Sequence, residues 1–104
     1  MSLFSSRFGP SFAAMAERAG STPGARIIDV RTAEEYASGH LPGAENIPLD
    51  RLAEHSFAPG EKLFVYCRSG ARSGRAAAWL QGQGAEAVNM GGIAGYFGTL
   101  ERGR

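Results

Sequence analysis

Three short apolar runs, within Ala25 to Val30, Lys62 to Tyr66 and Glu86 to Met90, are separated by stretches long enough to hold a helix each. No other feature constrains the fold so tightly. Runs this short, carrying Ile27, Ile28 and Val30 or Leu63, Phe64, Val65 and Tyr66, fit strands buried on both faces of a parallel sheet. Such strands need crossovers of a dozen or more residues, for which helices serve. The alternation therefore predicts an α/β domain with an open, largely parallel central sheet.

The intervening segments support this reading. Ser11 to Ala19 places Phe12, Met15, Ala16 and Ala19 on one helical face, with Gly20 as its stop. Thr32-Ala33-Glu34-Glu35 has the form of a capping box, and predicts a helix from Ala33 to about Ser38 that ends at Gly39. Ile47-Pro48-Leu49 is expected to be extended, with Asp50 capping a short helix that ends near Ser56. Ser73 to Gln83 reads as a helix burying Ala77, Leu80 and Trp79, closed by Gly84. Gly91-Gly92 is expected to lead into a final helix through Ile93, Tyr96, Phe97 and Leu100.

Composition narrows the function. A chain of 104 residues suits one domain, and a 43% apolar share is enough for a core. Eleven basic against ten acidic residues leave a formal charge of +1, with no general attraction to nucleic acid or anionic membrane. No segment reaches the ~18 to 20 continuous apolar residues that span a bilayer. Met1 to Pro10 shows no apolar run of the signal-peptide kind, so a cytoplasmic location is expected. One cysteine excludes an intramolecular disulfide, and with only His40 and His55 it makes a poor start on a zinc site. No cofactor is expected.

Attention falls on that cysteine. In Leu63-Phe64-Val65-Tyr66-Cys67-Arg68-Ser69-Gly70-Ala71-Arg72-Ser73-Gly74-Arg75 an apolar strand ends, Cys67 follows at once, a Gly-containing loop turns, and a helix begins. Open α/β sheets bind ligands beyond the carboxyl ends of their strands. A loop feeding a helix aims successive N–H groups at one point, and the helix start adds about half a positive charge. A thiolate there is itself the stabilised anion, so the Cys67 thiol should ionise below the usual ~8.5. A lone cysteine after an apolar strand is by default a small buried hydrophobe. The polar loop favours chemistry instead. Arg68 and Arg72 would favour the thiolate and recruit an anionic substrate; Arg75, within the helix, is the weakest of the three candidates.

The chain resembles the rhodanese-like sulfurtransferases over about Ile27 to Phe97, with the motif-bearing part of a single domain at about 26–98. One group of motifs is Ile28-Asp29-Val30-Arg31, Glu35-Tyr36, Gly39-His40-Leu41-Pro42-Gly43-Ala44 and Asn46-Ile47-Pro48. The other is Val65-Tyr66-Cys67-Arg68-Ser69-Gly70-Ala71-Arg72-Ser73 and Gly91-Gly92-Ile93. The resemblance implies about five strands between helices on both faces. It implies that Cys67 attacks a sulfane sulfur, as in thiosulfate, and passes it through a persulfide to cyanide, a thiol or a protein cysteine. Arg68, Ser69, Gly70, Ala71, Arg72 and Ser73 would bind the small anionic donor, with Arg68 and Arg72 as its charged contacts.

Related cell-cycle phosphatases separate Cys from Arg by five residues. Here Arg72 follows Cys67 after four, a loop that suits one sulfur atom and crowds a phosphate ester. Phosphatase or arsenate-reductase activity, and a sulfur-relay or binding role toward a protein partner, are the alternatives. The other motif residues read as scaffold: Asp29 as a buried acceptor or an arginine's partner, Arg31 as a partner of Glu35, and His40 as a structural hydrogen bond. Thr32, His55, Trp79, Tyr96 and Phe97 carry no expected chemistry. Tyr96 stands where the family often has Trp, and the Pro-containing segment usual after the last helix is missing.

Overall fold

The structure, a computed structural model, describes residues 10–104. The expectation about a leader at Met1 to Gly9 lies outside the described residues. The elements in chain order are helix α1 (Phe12–Gly20), strand β1 (Arg26–Asp29), helix α2 (Ala33–Ser38), strand β2 (Glu45–Asn46), a 3-10 helix (Leu49–Glu54), strand β3 (Lys62–Cys67), helix α3 (Ala71–Gly82) and strand β4 (Glu86–Gly92). These strands pair in parallel, in the order β2-β1-β3-β4, and His40 and Glu101 add an isolated antiparallel bridge.

Side-chain alternation along β3 separates two cores. Leu63, Val65 and Cys67 join Ile28 and Val30 on one face, covered by Leu52 of the 3-10 helix and by Ala76, Ala77 and Leu80 of α3. Phe64 and Tyr66 face the other way, toward Met15 and Ala19 of α1, with Leu41, Met90 and Ile93. Helices thus cover both faces. Each cap follows its local chemistry: the Ser11 hydroxyl accepts from Ala14 N at 3.1 Å, and Thr32 and Glu35 form the reciprocal capping box of α2.

Four expectations change. Among the described residues the sheet has four strands, not about five. The amides of Ile47 and Leu49 still bond to the carbonyls of Asp29 and Val30, but Pro48 between them has no N–H and β2 stops at Asn46. Asp50 caps nothing, because the 3-10 helix begins at Leu49 behind Pro48. The final helix does not form: beyond one turn closed by Tyr96 N–H to the Ile93 carbonyl, the segment is irregular. Glycines at 91, 92, 95 and 98 make a continuous helix unfavourable there. Ile93 is buried and Tyr96 half-buried, but Phe97 is 98% exposed. Trp79, expected inside, is 36% exposed, since the buried face of α3 runs through Ser73, Ala76, Ala77 and Leu80.

β4 carries an irregularity that matters at the site. Val65 aligns with Asn89, yet Tyr66 aligns with Gly91 and Cys67 with Gly92, so Met90 is an extra residue in the ladder. The shift sets two consecutive glycines beside the end of β3.

Among the described residues, no helix is long and apolar enough to cross a membrane.

Candidate active site

Cys67 is the last residue of β3, and its side chain is fully buried. Only residues 68–70 separate it from α3, because the helix starts at Ala71, two residues earlier than the sequence pattern predicts. That short connection requires an abrupt reversal at Gly70, which adopts φ +101 and ψ −10, a left-handed conformation that favours glycine. The turn brings three donors onto one atom. Cys67 Sγ accepts from Gly70 N at 3.0 Å, from Ser73 N at 3.4 Å and from Ser73 Oγ at 3.3 Å.

Burial pushes the Cys67 thiol up, and these donors outweigh it. The Ser73 hydroxyl, then the Ser73, Gly70 and Ser69 amides, hold the thiol below its ordinary value. The cause is fixed dipoles within the loop, which sits at a helix N-terminus. The sulfur is thus a buried group prepared to carry negative charge.

The two loop arginines part company. Arg72 donates to Glu35 Oε1 at 2.7 Å and to Glu35 Oε2 at 2.9 Å, a two-pronged ion pair between α3 and α2. The same carboxylate closes the capping box on Thr32 N. The side chains of Arg68 and Arg75 are exposed and have no hydrogen-bond or ion-pair partner among the described residues. Arg72 lies in the first turn of α3 and Arg75 one turn further on.

Asp29 and Arg31 form a second, buried pair. Arg31 Nη2 donates to Asp29 Oδ2 at 2.6 Å and to the Gly39 carbonyl at 2.7 Å, and the Arg31 amide donates to Asp29 Oδ1 at 2.9 Å. The expected partner of Arg31, Glu35, is thus taken by Arg72. His40 stacks on Tyr36 with ring centroids 3.6 Å apart and places Nδ1 2.8 Å from the Tyr36 carbonyl, which fixes it in the scaffold. His55 is exposed. Among the described residues no three His, Cys, Asp or Glu side chains gather as metal ligands.

Two further residues hold the loop: Asn89, absent from the sequence motifs, and Gly92, present in them only as part of Gly91-Gly92-Ile93. Asn89 accepts from Ser73 Oγ at 2.7 Å and donates through Nδ2 to the Gly70 carbonyl at 3.1 Å. Its one signal is an amide side chain between Val88 and Met90, at the parity that faces α3. Gly92 packs directly under the loop. A Cβ there would lie 2.6 Å from Ser69 Cα and collide with the Arg68 carbonyl. Beyond it, Ile93 N–H and Ala94 N–H donate to the carbonyls of Cys67 and Arg68 at 2.9 and 3.0 Å.

Comparison with known proteins agrees with this architecture. The family model for the rhodanese-like domain matches residues 11–98. The chain is 39% identical over 81 residues to a protein of Bacillus subtilis (strain 168) called Uncharacterized protein YqhL, covering 74% of this chain and 64% of that one. It is 36% identical over 72 residues to a protein of Allochromatium vinosum called Sulfurtransferase, covering 67% of each chain. It thus spans about two thirds of the length of these relatives. A rhodanese-like domain protein from Staphylococcus aureus superposes with a TM-score of 0.78 at 32% identity, covering 90% of this chain and 96% of the other. With a matched family model over most of its length and the fold in common, this chain belongs to the rhodanese-like domain family.

Proposed function

We propose that this chain is a sulfurtransferase that carries a sulfane sulfur on Cys67. The observation behind this reading is the convergence of three donors, Gly70 N, Ser73 N and Ser73 Oγ, on one buried sulfur. It is the arrangement that a thiolate nucleophile needs and that a merely packed cysteine does not. The Sulfurtransferase of Allochromatium vinosum supports the same class of activity.

In the first half-reaction the Cys67 thiolate attacks the outer sulfur of thiosulfate. A new S–S bond forms on Cys67 while the donor's S–S bond breaks, and its electron pair leaves on sulfite. Negative charge moves one atom outward, onto the persulfide. Its outer sulfur is stabilised by the amides of Ser69, Gly70, Ala71 and Arg72 at the mouth of the loop, in the manner of an oxyanion hole. Arg68 supplies the mobile positive charge that draws in the donor, and Arg72 positions the loop. In the second half-reaction an acceptor nucleophile, whether cyanide, a small thiol or a protein cysteine, takes the outer sulfur and returns Cys67 as thiolate. Splitting one transfer into two displacements is what covalent catalysis contributes. With no second cysteine in the chain, the acceptor comes from outside it. A location in the cytoplasm, where thiols are kept reduced, is part of this reading.

Mass measurement after incubation with thiosulfate tests the reading. One added sulfur on Cys67, absent from Cys67→Ala, is the expected result. No adduct, or thiosulfate turnover that survives Cys67→Ala, would overturn it. Hydrolysis of an aryl phosphate that disappears with Cys67→Ser would instead assign the thiolate to phosphoryl chemistry.

A further inference from the structure

Ser73 Oγ lies 3.3 Å from Cys67 Sγ, 2.7 Å from Asn89 Oδ1 and, at the edge of hydrogen-bonding range, 3.4 Å from the Gly91 carbonyl; its hydroxyl has a single proton, for which Oδ1 and the sulfur are the nearest acceptors. Two backbone groups fix which end of the Asn89 amide faces Ser73. Gly91 N–H donates to Oδ1 at 2.9 Å, and Nδ2 donates to the Gly70 carbonyl at 3.1 Å. A flipped amide would set N–H against N–H and oxygen against oxygen. Oδ1 is therefore the acceptor, and the Ser73 proton is contested between it and the sulfur.

The contest has two self-consistent outcomes. With Cys67 as a thiol, S–H donates to Ser73 Oγ and the Ser73 hydroxyl donates to Asn89 Oδ1, which places every proton. With Cys67 as thiolate or persulfide, the sulfur is an acceptor only, and the Ser73 hydroxyl turns to it. Asn89 Oδ1 still receives Gly91 N–H, so no group is orphaned by the switch. We propose that Asn89 is a positioning residue that, through the single proton of Ser73, governs how readily Cys67 becomes an anion and remains one. Its relevance to sulfur transfer rests on the function proposed above.

Other charges surround the same end of the sheet. They are Arg68 and Arg72 on the loop and its helix, Glu35 behind Arg72, and the Asp29–Arg31 pair on the neighbouring strand. Among the described residues none of them bonds to Sγ, so Ser73 and the amides hold the sulfur directly.

The test is the titration of Cys67 in the whole chain, followed by thiolate ultraviolet absorbance and by the rate of iodoacetamide alkylation against pH. Asn89→Asp keeps the shape and both accepting contacts, gives up the donation to the Gly70 carbonyl, and holds the Ser73 proton more strongly. The expected result is a titration moved upward by about one unit, with about tenfold less thiolate below it and full reactivity recovered at high pH. In a Ser73→Ala background the same substitution should move the titration less than half as far. Equal shifts with and without Ser73, or no shift, would overturn the proposal. Asn89→Ala removes the competing acceptor and should move the titration downward, whereas simple loosening of the loop would move it upward and overturn the proposal. Alkylation reads the thiol whether or not thiosulfate loads it, so failure of the sulfurtransferase reading is scored separately.

Discussion

Glu35 and Arg72, 37 positions apart in the chain, form two parallel hydrogen bonds of 2.7 and 2.9 Å that tie the start of α2 to the start of α3. The carboxylate does two jobs at once, since it also closes the capping box on Thr32. The helix that begins at the reactive loop is thereby fastened to the helix beyond β1. The pair is half-buried, so its energetic weight is modest and its value is positional.

Glu35→Gln and Arg72→Gln should therefore behave as one lesion. Glutamine still serves the capping box, so Glu35→Gln removes the ion pair alone. A double-mutant cycle by urea unfolding should give a coupling of about 1 kcal/mol, the upper end for a partly exposed pair. Additive single effects would show that the contact contributes nothing.

The same pair makes an acid-dependent contribution. The Arg72 guanidinium, opposed by burial and helped by the Thr32 amide, holds the Glu35 carboxyl down to about 2. Its folded value lies below the unfolded value of ~4.3, so the stabilisation is complete above that value and is lost as pH falls toward 2. Unfolding measured at about pH 6 and about pH 3 should show a larger loss for the parent chain than for Glu35→Gln. Equal losses would place the acid sensitivity elsewhere.

Arg68, whose side chain has no partner among the described residues, is the loop cation left to meet an anionic donor. Arg68→Ala should raise the thiosulfate KM about tenfold, near the lower end expected for one charge-assisted contact, with kcat changed less than roughly twofold. Arg72→Ala should instead lower stability and kcat together, because it releases the helix start. Steady-state kinetics on the two variants separate the roles. A KM effect confined to Arg72→Ala would reverse them.

Gly92→Ala places a methyl group against the Arg68 carbonyl and Ser69 Cα, so the loop must move. Overpacking of this kind costs about 1 to 3 kcal/mol, which a folded domain survives. Circular dichroism should stay native while the rate of sulfur loading on Cys67 falls at least about tenfold, because small displacements of a donor set weaken it steeply. Unimpaired loading would show that the loop tolerates a shift here.

The buried Asp29–Arg31 pair should respond asymmetrically. Arg31→Met leaves the Asp29 carboxylate buried without its main partner, at a cost of about 3 to 5 kcal/mol in urea unfolding. Asp29→Asn combined with Arg31→Met should cost less than Arg31→Met alone, since no unpaired charge remains. A double variant less stable than the single one would contradict this.

Much of the site is written within short stretches of chain. The run from Leu63 to Arg75 encodes strand, sulfur, turn and helix in order, and a strand end followed by Gly70 leaves the loop little freedom. The Thr32–Glu35 box is local for the same reason, because all its atoms lie within four residues. The failures also have physical causes. Sequence alone offers Glu35 as a partner for Arg31, but the Asp29 side chain two positions away sits inside the sheet, where desolvation makes a paired guanidinium far more valuable. The helix expected through Ile93 and Leu100 followed from apolar spacing, which cannot outweigh the glycines that interrupt it.

By itself, then, the sequence determined the alternation of strands and helices, the caps, and the position of one thiol at a strand end followed by a tight turn. These depend on torsional preferences and contacts among near neighbours. Tertiary structure alone decided that the Arg72 side chain is bound while that of Arg68 is left without a partner among the described residues, that Asn89 competes with Cys67 for a proton, and that an extra residue at Met90 brings Gly92 under the loop. Each of these joins residues far apart in the chain. Their pairing is set by strand register and by which side chains share a buried face, and no local pattern carries that information.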